Sequence, residues 1–177
     1  VSDYDYLSDF DWTSVETQWG TPRKNSNIQG MVHNNVKRFK KGVGIHANGK
    51  ITYDLSDKDY DKFEALIGVD TAVGENNNSS VTFKIVGDGK TLATTKVMNY
   101  YDNLAYINVP VKGIKELVIE VHDGGNGNAC DHCIIVNPKL TTNSGKPKFT
   151  GDDKVAFNIN DKIDLLKGIK ATDAENG

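Results

Sequence analysis

Cysteine, tryptophan and proline are scarce in this 177-residue chain, which holds 2 Cys, 2 Trp and 4 Pro, and long apolar runs are missing altogether. No stretch approaches the ~18 apolar residues that a membrane-spanning helix requires, so insertion into a bilayer is not expected. The opening Val1-Ser2-Asp3-Tyr4-Asp5-Tyr6 is too acidic and polar for a secretory leader. A start at valine fits a processed or excised segment, so the want of a leader does not argue against export. Excess positive charge is missing too. With 21 Lys+Arg against 24 Asp+Glu and a net charge of −3, the chain lacks the broad basic surface on which nucleic-acid binding depends.

Catalytic signatures are equally thin. The sequence contains no Gly-x-Ser-x-Gly elbow, no His-Glu-x-x-His, no phosphate-binding P-loop and no Gly-x-Gly-x-x-Gly at a strand-helix junction. Cys130 and Cys133 are spaced for a short-loop disulfide, for half of a metal site, or for no special role. A zinc site needs about four ligands and there is no second cysteine pair. A redox motif would open a helix, whereas this pair leads into the strand-like Ile134-Ile135-Val136.

What is present is β-pattern. Period-2 or β-branched runs fall at 50–55, 63–69, 81–86, 91–95, 104–109, 117–121 and 133–136. Between them lie breaker clusters, among them residues 74–80, Gly87-Asp88-Gly89-Lys90 and the Gly/Asn-rich tract 123–128. The Gly87-Asp88-Gly89 turn predicts a hairpin joining the flanking strands. No long segment has a 3.6-residue period, and the stretch 56–62 reads as a turn. Many short strands at this spacing predict an all-β, antiparallel β-sandwich of jelly-roll type. The texture changes after Leu140: 1–140 reads as one domain, 141–147 as a polar linker, and 148–177 as a short C-terminal β fragment too small to close a core of its own.

Sugar recognition needs an aromatic face for the C–H patch of the ring and planar polar side chains for its hydroxyls. His46 and Asn48 lie in a glycine-flanked tract read as a tight Gly44 to Gly49 turn, and Asp131 and His132 close the Gly/Asn loop before the last strand. In a sandwich whose loops gather at two ends, these two turns are expected to meet. Trp19 precedes Gly20 and a polar loop and suits a stacking platform; Trp12 sits in an alternating tract and reads as core. Arg23 and Lys24 are candidate hydroxyl contacts. Tyr100 and Tyr101 form a second aromatic candidate in a loop. For calcium, oxygen donors are available at Asp123 and Asn126 and in a second acid-bearing turn at Asp70.

Four ordered tracts, Tyr6 to Trp12, Gln18-Trp19-Gly20, Lys41 to Lys50 and Asp123 to His132, together resemble the NPCBM family, the family 51 carbohydrate-binding modules. The resemblance implies a galactose-binding-like β-sandwich that is non-catalytic and attached to a secreted or cell-surface bacterial glycan-active enzyme, a glycoside hydrolase. It implies binding of terminal galactose or related residues of host glycans of mucin or blood-group type, with His46 and Asp131 in the site, a structural calcium ion, and the other modules of the parent enzyme as partners. Where the family continues with Asp-His-Ala-Asp-Trp-Ala, this chain has Asp131-His132-Cys133-Ile134-Ile135-Val136, so one wall of the pocket is its own. Residues 148–177 resemble the opening strands of a bacterial immunoglobulin-like or cadherin-like module. The rival expectation from another class is a β-sandwich spacer or protein-interaction module.

Overall fold

A computed structural model describes residues 3–142. Among them run thirteen strands in chain order: β1 (Tyr4–Tyr6), β2 (Ser14–Thr17), β3 (Arg23–Lys24), β4 (Ile28–Val32), β5 (Asn35–Phe39), β6 (Gly42–His46), β7 (Gly49–Asp54), β8 (Lys62–Val69), β9 (Val81–Gly87), β10 (Lys90–Thr94), β11 (Ala105–Pro110), β12 (Glu116–Asp123) and β13 (His132–Thr141). Single 3-10 turns occupy Leu7–Asp9 and Thr71–Val73. The fold is an all-β antiparallel sandwich. One sheet has the order β11-β8-β13-β6-β3 with β1 added along β13; the other has the order β10-β9-β12-β7-β2. A separate hairpin, β4-β5, lies against the outer face of the first sheet.

Strand alternation builds the core. From β7, β9 and β12 the side chains of Ile51, Tyr53, Phe83, Ile85, Leu117 and Ile119 point inward, and from β8, β6 and β13 those of Phe63, Ile67, Val43, Ile45, Cys133 and Ile135 meet them. Each large side chain removed from water in this way stabilises the fold by about 1.5–3 kcal/mol. Alternate residues of β13 and β8, Ile134, Val136 and Leu66, form a smaller cluster with Leu104 and with Ile28 and Phe39 of the hairpin. The first sheet is therefore apolar on both faces over part of its length.

The expected hairpin at Gly87 is present: Gly87 pairs with Lys90, leaving Asp88 and Gly89 as a two-residue turn, both at positive φ. That is the backbone twist which suits a tight antiparallel connection. The segment 56–61 is a non-helical connection with a turn at 56–57, as its composition implied, and Lys62 already opens β8. Strand pairing continues past the expected domain end, since Thr141 pairs with Tyr4 and the amide of Thr142 donates to the Asp3 carbonyl. The remainder of the expected linker and the expected immunoglobulin-like fragment lie outside the described residues.

One local expectation is corrected. His46 is not in a Gly44 to Gly49 turn: it ends β6, and only Ala47 and Asn48 connect it to β7. The glycines there make room for neighbours rather than for a bend. A Cβ on Gly44 would stand 2.6 Å from the Arg23 guanidinium carbon, and one on Gly42 would stand 2.7 Å from the Ile135 carbonyl oxygen.

Candidate functional site

Two strands and a loop converge at one end of the first sheet. His46 and His132 are register partners across β6 and β13, so their side chains rise from the same face. This is the outer face, because their neighbours Ile45 and Cys133 point into the core. The two imidazoles meet edge to face, with centroids 4.5 Å apart and planes at 88°. Trp19, just beyond β2, closes the group: its ring lies 5.4 Å from His132 and 5.8 Å from His46. Trp19 is held by Thr17, whose hydroxyl lies 3.0 Å from the Trp19 carbonyl and 3.1 Å from the His46 carbonyl. With 64 % of its surface exposed, the indole still offers apolar area to a ligand.

These rings form one wall of a hollow of about 370 Å³, whose other side is made by Val73, Asn128 and Cys130. His46 is almost buried, and its Nδ1 donates to the Ala47 carbonyl. In the neutral ring this leaves Nε2 as an acceptor. The pKa of His132 lies below the ordinary histidine value, first because burial disfavours its charged form and then because His46 is beside it. A neutral ring with one donor and one acceptor suits paired hydroxyls.

Arg23 belongs to the support rather than to the wall. Its guanidinium fills the space above Gly44, donates to the carbonyls of Ser26 and Asn27 at 3.0 and 2.9 Å, and pairs with Asp70. Asp70 is buried and also accepts from the Ala72 amide at 2.9 Å, capping the turn that carries Val73.

Asn48 is a clip between loops. Its Oδ1 accepts from the Asp123 amide at 2.9 Å, and its Nδ2 donates to Asp123 Oδ2 at 3.0 Å and to Gln18 Oε1 at 3.2 Å. Gln18 Oε1 accepts in addition from Asn128 Nδ2 at 2.8 Å. Sequence reasoning passed over Gln18, Val73 and Asn128. Two of the three had a visible signal: Gln18 adjoins the chosen tryptophan, and Asn128 lies in the Gly/Asn tract already marked as a loop.

The two distant turns do meet: the Ala47 amide donates to the Asp131 carbonyl at 2.9 Å. The Asp131 carboxyl, however, does not face the hollow. One residue before His132, it takes the opposite side of the sheet, with Cys133, and is fully buried. Its Oδ1 accepts from the Ser80 amide at 2.7 Å and its Oδ2 has no hydrogen-bond partner; desolvation raises its pKa. A strand's period of two separates these neighbours. Asp131 therefore fixes the base of the site and is corrected from contact to scaffold.

Tyr100 is corrected likewise. It is buried in the core cluster, its amide donating to Ser79 Oγ at 3.0 Å, and the exposed ring of the pair belongs to Tyr101. Trp12 packs half-buried against the core, with Lys24 Nζ 5.0 Å from its ring centroid.

Each candidate calcium donor has a partner within the protein. Asp70 is committed to Arg23, Asp123 to Asn48 and the Gly125 amide, and Asn126 to Ser80 and the Asn78 carbonyl. Among the described residues no group of three His, Cys, Asp or Glu side chains is placed to hold a metal ion. Cys130 and Cys133 are not joined: Cys130 lines the hollow and Cys133 is buried, its thiol pKa raised by desolvation.

The described residues thus form a two-sheet sandwich with an aromatic and histidine-lined hollow at one end of a sheet. Residues 3–141 match the NPCBM/NEW2 domain, and the chain belongs to that family. Three relatives place it further. The CBM51 of the Clostridium perfringens GH95 protein, solved in complex with methyl-galactose, is 29% identical, with 78% of this chain and 99% of that one covered and a TM-score of 0.74. CBM51-2 of C. perfringens ZmpB, solved with GlcNAc and together with INT domains, is 32% identical over 79% of this chain and 32% of that one, with a TM-score of 0.76; the same protein carries an M60 catalytic domain. A Renibacterium salmoninarum protein named as an endo-alpha-N-acetylgalactosaminidase is 28% identical over 134 residues, 70% of this chain. This chain spans only 9% of that relative's length. The module is CBM51-like.

Proposed function

We propose that this chain is a non-catalytic sugar-binding module which holds terminal galactose, or a related residue of host glycans of mucin or blood-group type, in the hollow beside Trp19. The observation that carries this reading is the exposed indole of Trp19 set against the paired imidazoles of His46 and His132. The indole face would cover the C–H patch of a pyranose, and His46 Nε2, the His132 ring nitrogens and the Asn128 amide oxygen are the polar groups of the hollow that would serve its hydroxyls. Related CBM51 modules solved with methyl-galactose and with GlcNAc support a pyranose as ligand. In a secreted bacterial glycan-active enzyme, such a contact raises the local substrate concentration, because the catalytic encounter becomes intramolecular. The test is titration calorimetry with galactose, N-acetylgalactosamine, GlcNAc and glucose. Saturable binding with a preference among them is expected; no binding at millimolar sugar overturns the reading.

A further inference from the structure

A second hollow, of about 470 Å³, opens on the outer face of the five-stranded sheet. Its floor is a charged row. Glu16 on β2 is the register partner of Lys50 on β7, and Lys50 is in turn the partner of Glu120 on β12, so the three side chains stand on one face within reach of each other. Opposite charges so placed ordinarily close on one another. Here, among the described residues, the side chains of Glu16 and Lys50 make no hydrogen bond or ion pair, and Glu120 turns along its own strand to His122 at 2.9 Å. The row leaves charged donors and acceptors facing a concavity.

This hollow shares a wall with the Trp19 site. Gln18 and Asn48 line it, and Gln18 Oε1 also accepts from Asn128, which lines the Trp19 hollow. One bridge of three amides therefore separates the two. The ring that borders the second hollow is the small imidazole of His122, already engaged by Glu120, so the hollow lacks an indole- or phenol-sized face on which a sugar ring could stack. What it offers is mainly hydrogen bonding, charge-assisted along the row, which suits a ring already held at its other end.

Resting on the sugar-site reading, we infer that the site takes an oligosaccharide: the terminal ring occupies the Trp19 hollow, and the next residues of the same glycan cross the Gln18-Asn48 bridge onto the Glu16-Lys50-Glu120 row. The row adds affinity only to a ligand anchored at Trp19 and does not bind a monosaccharide by itself.

The experiment compares methyl-galactoside with a galactose-terminated tetrasaccharide, by calorimetry and by amide NMR. The tetrasaccharide is expected to bind about tenfold more tightly, the gain of one or two net hydrogen bonds, and only it should shift the amides of Glu16, Lys50 and Glu120. The double variant K50A/E120A is expected to lose that gain and to keep the affinity for methyl-galactoside. Equal affinities for the two sugars, or a gain that survives the double variant, overturn the inference while leaving the Trp19 site standing. If the folded protein binds neither sugar, the site reading itself fails and the extension falls with it.

Discussion

His132 stands directly opposite His46 across two neighbouring strands, with the ring of one edge-on to the face of the other at 4.5 Å. Adjacent imidazoles disfavour a shared positive charge, and part of the His132 shift comes from His46. At neutral pH burial therefore favours the neutral form of His132, a hydrogen-bonding group suited to hydroxyls rather than to anions.

That shift fixes a pH dependence. A histidine whose folded pKa is depressed below its unfolded value of 6.5 contributes stability that is present above pH 6.5 and is lost as pH falls through the folded pKa. Protonation also removes the acceptor nitrogen from the hollow. Sugar affinity and thermal midpoint should both fall on acidification below pH 6.5, and in the variant H132Q the His132 share of both changes should vanish. Calorimetry and thermal scans between pH 7.5 and about pH 5 check this; an H132Q profile identical to that of the parent contradicts it.

The indole of Trp19 is more than half exposed, so it adds little to the core, and on the proposed reading its face serves the sugar. W19A should reduce sugar affinity about tenfold or more, since an aromatic platform contributes about 1.5 kcal/mol or more with its buried area. The midpoint should move by no more than about 2 °C, as for other exposed substitutions. A large loss of stability would mean that the ring is structural.

The cysteine pair gives a separate check. Cys133 is buried with its thiol pKa raised, and Cys130 sits at the hollow with no disulfide to its neighbour. Adding a reductant should leave the thermal midpoint unchanged. C130A should leave it unchanged too, whereas C133S, which places a hydroxyl inside an apolar core, should cost about 1–3 kcal/mol. A midpoint that drops on reduction would show that the two thiols do form a bridge.

The second half of the sandwich was plain in the sequence because it follows simple rules. Runs such as Val81 to Val86 and Leu117 to Val121 are dense in β-branched and other apolar residues, and every second side chain from Val81 and from Leu117 is buried in the core. The first half was obscure for reasons equally physical. β6 carries glycine at 42 and 44, where Ile28 and Arg23 press on its backbone, so its alternation is erased and it resembles a turn. β1 to β3 are two to four residues long, too short for any period. Within the site, His46, His132 and Trp19 were legible as polar or aromatic residues at loop ends. The orientation of Asp131 was not, since it depends on where β13 takes up its register.

The ion pair of Arg23 and Asp70 sits beside His132 and makes the last prediction. Asp70 raises the His132 pKa and Arg23 lowers it, both acting behind the larger effect of burial. D70A removes the carboxylate, the cap on Ala72 and the partner of a half-buried guanidinium; it should cost about 3 kcal/mol in urea unfolding and push the His132 pKa further down. R23M should move that pKa up, since methionine fills the space over Gly44 without charge. In the double variant the two electrostatic effects oppose each other, so its His132 pKa should fall between those of the single variants. NMR titration of the ring protons measures all three, and a His132 pKa that ignores both substitutions would show that the ion pair holds the loop without tuning the site.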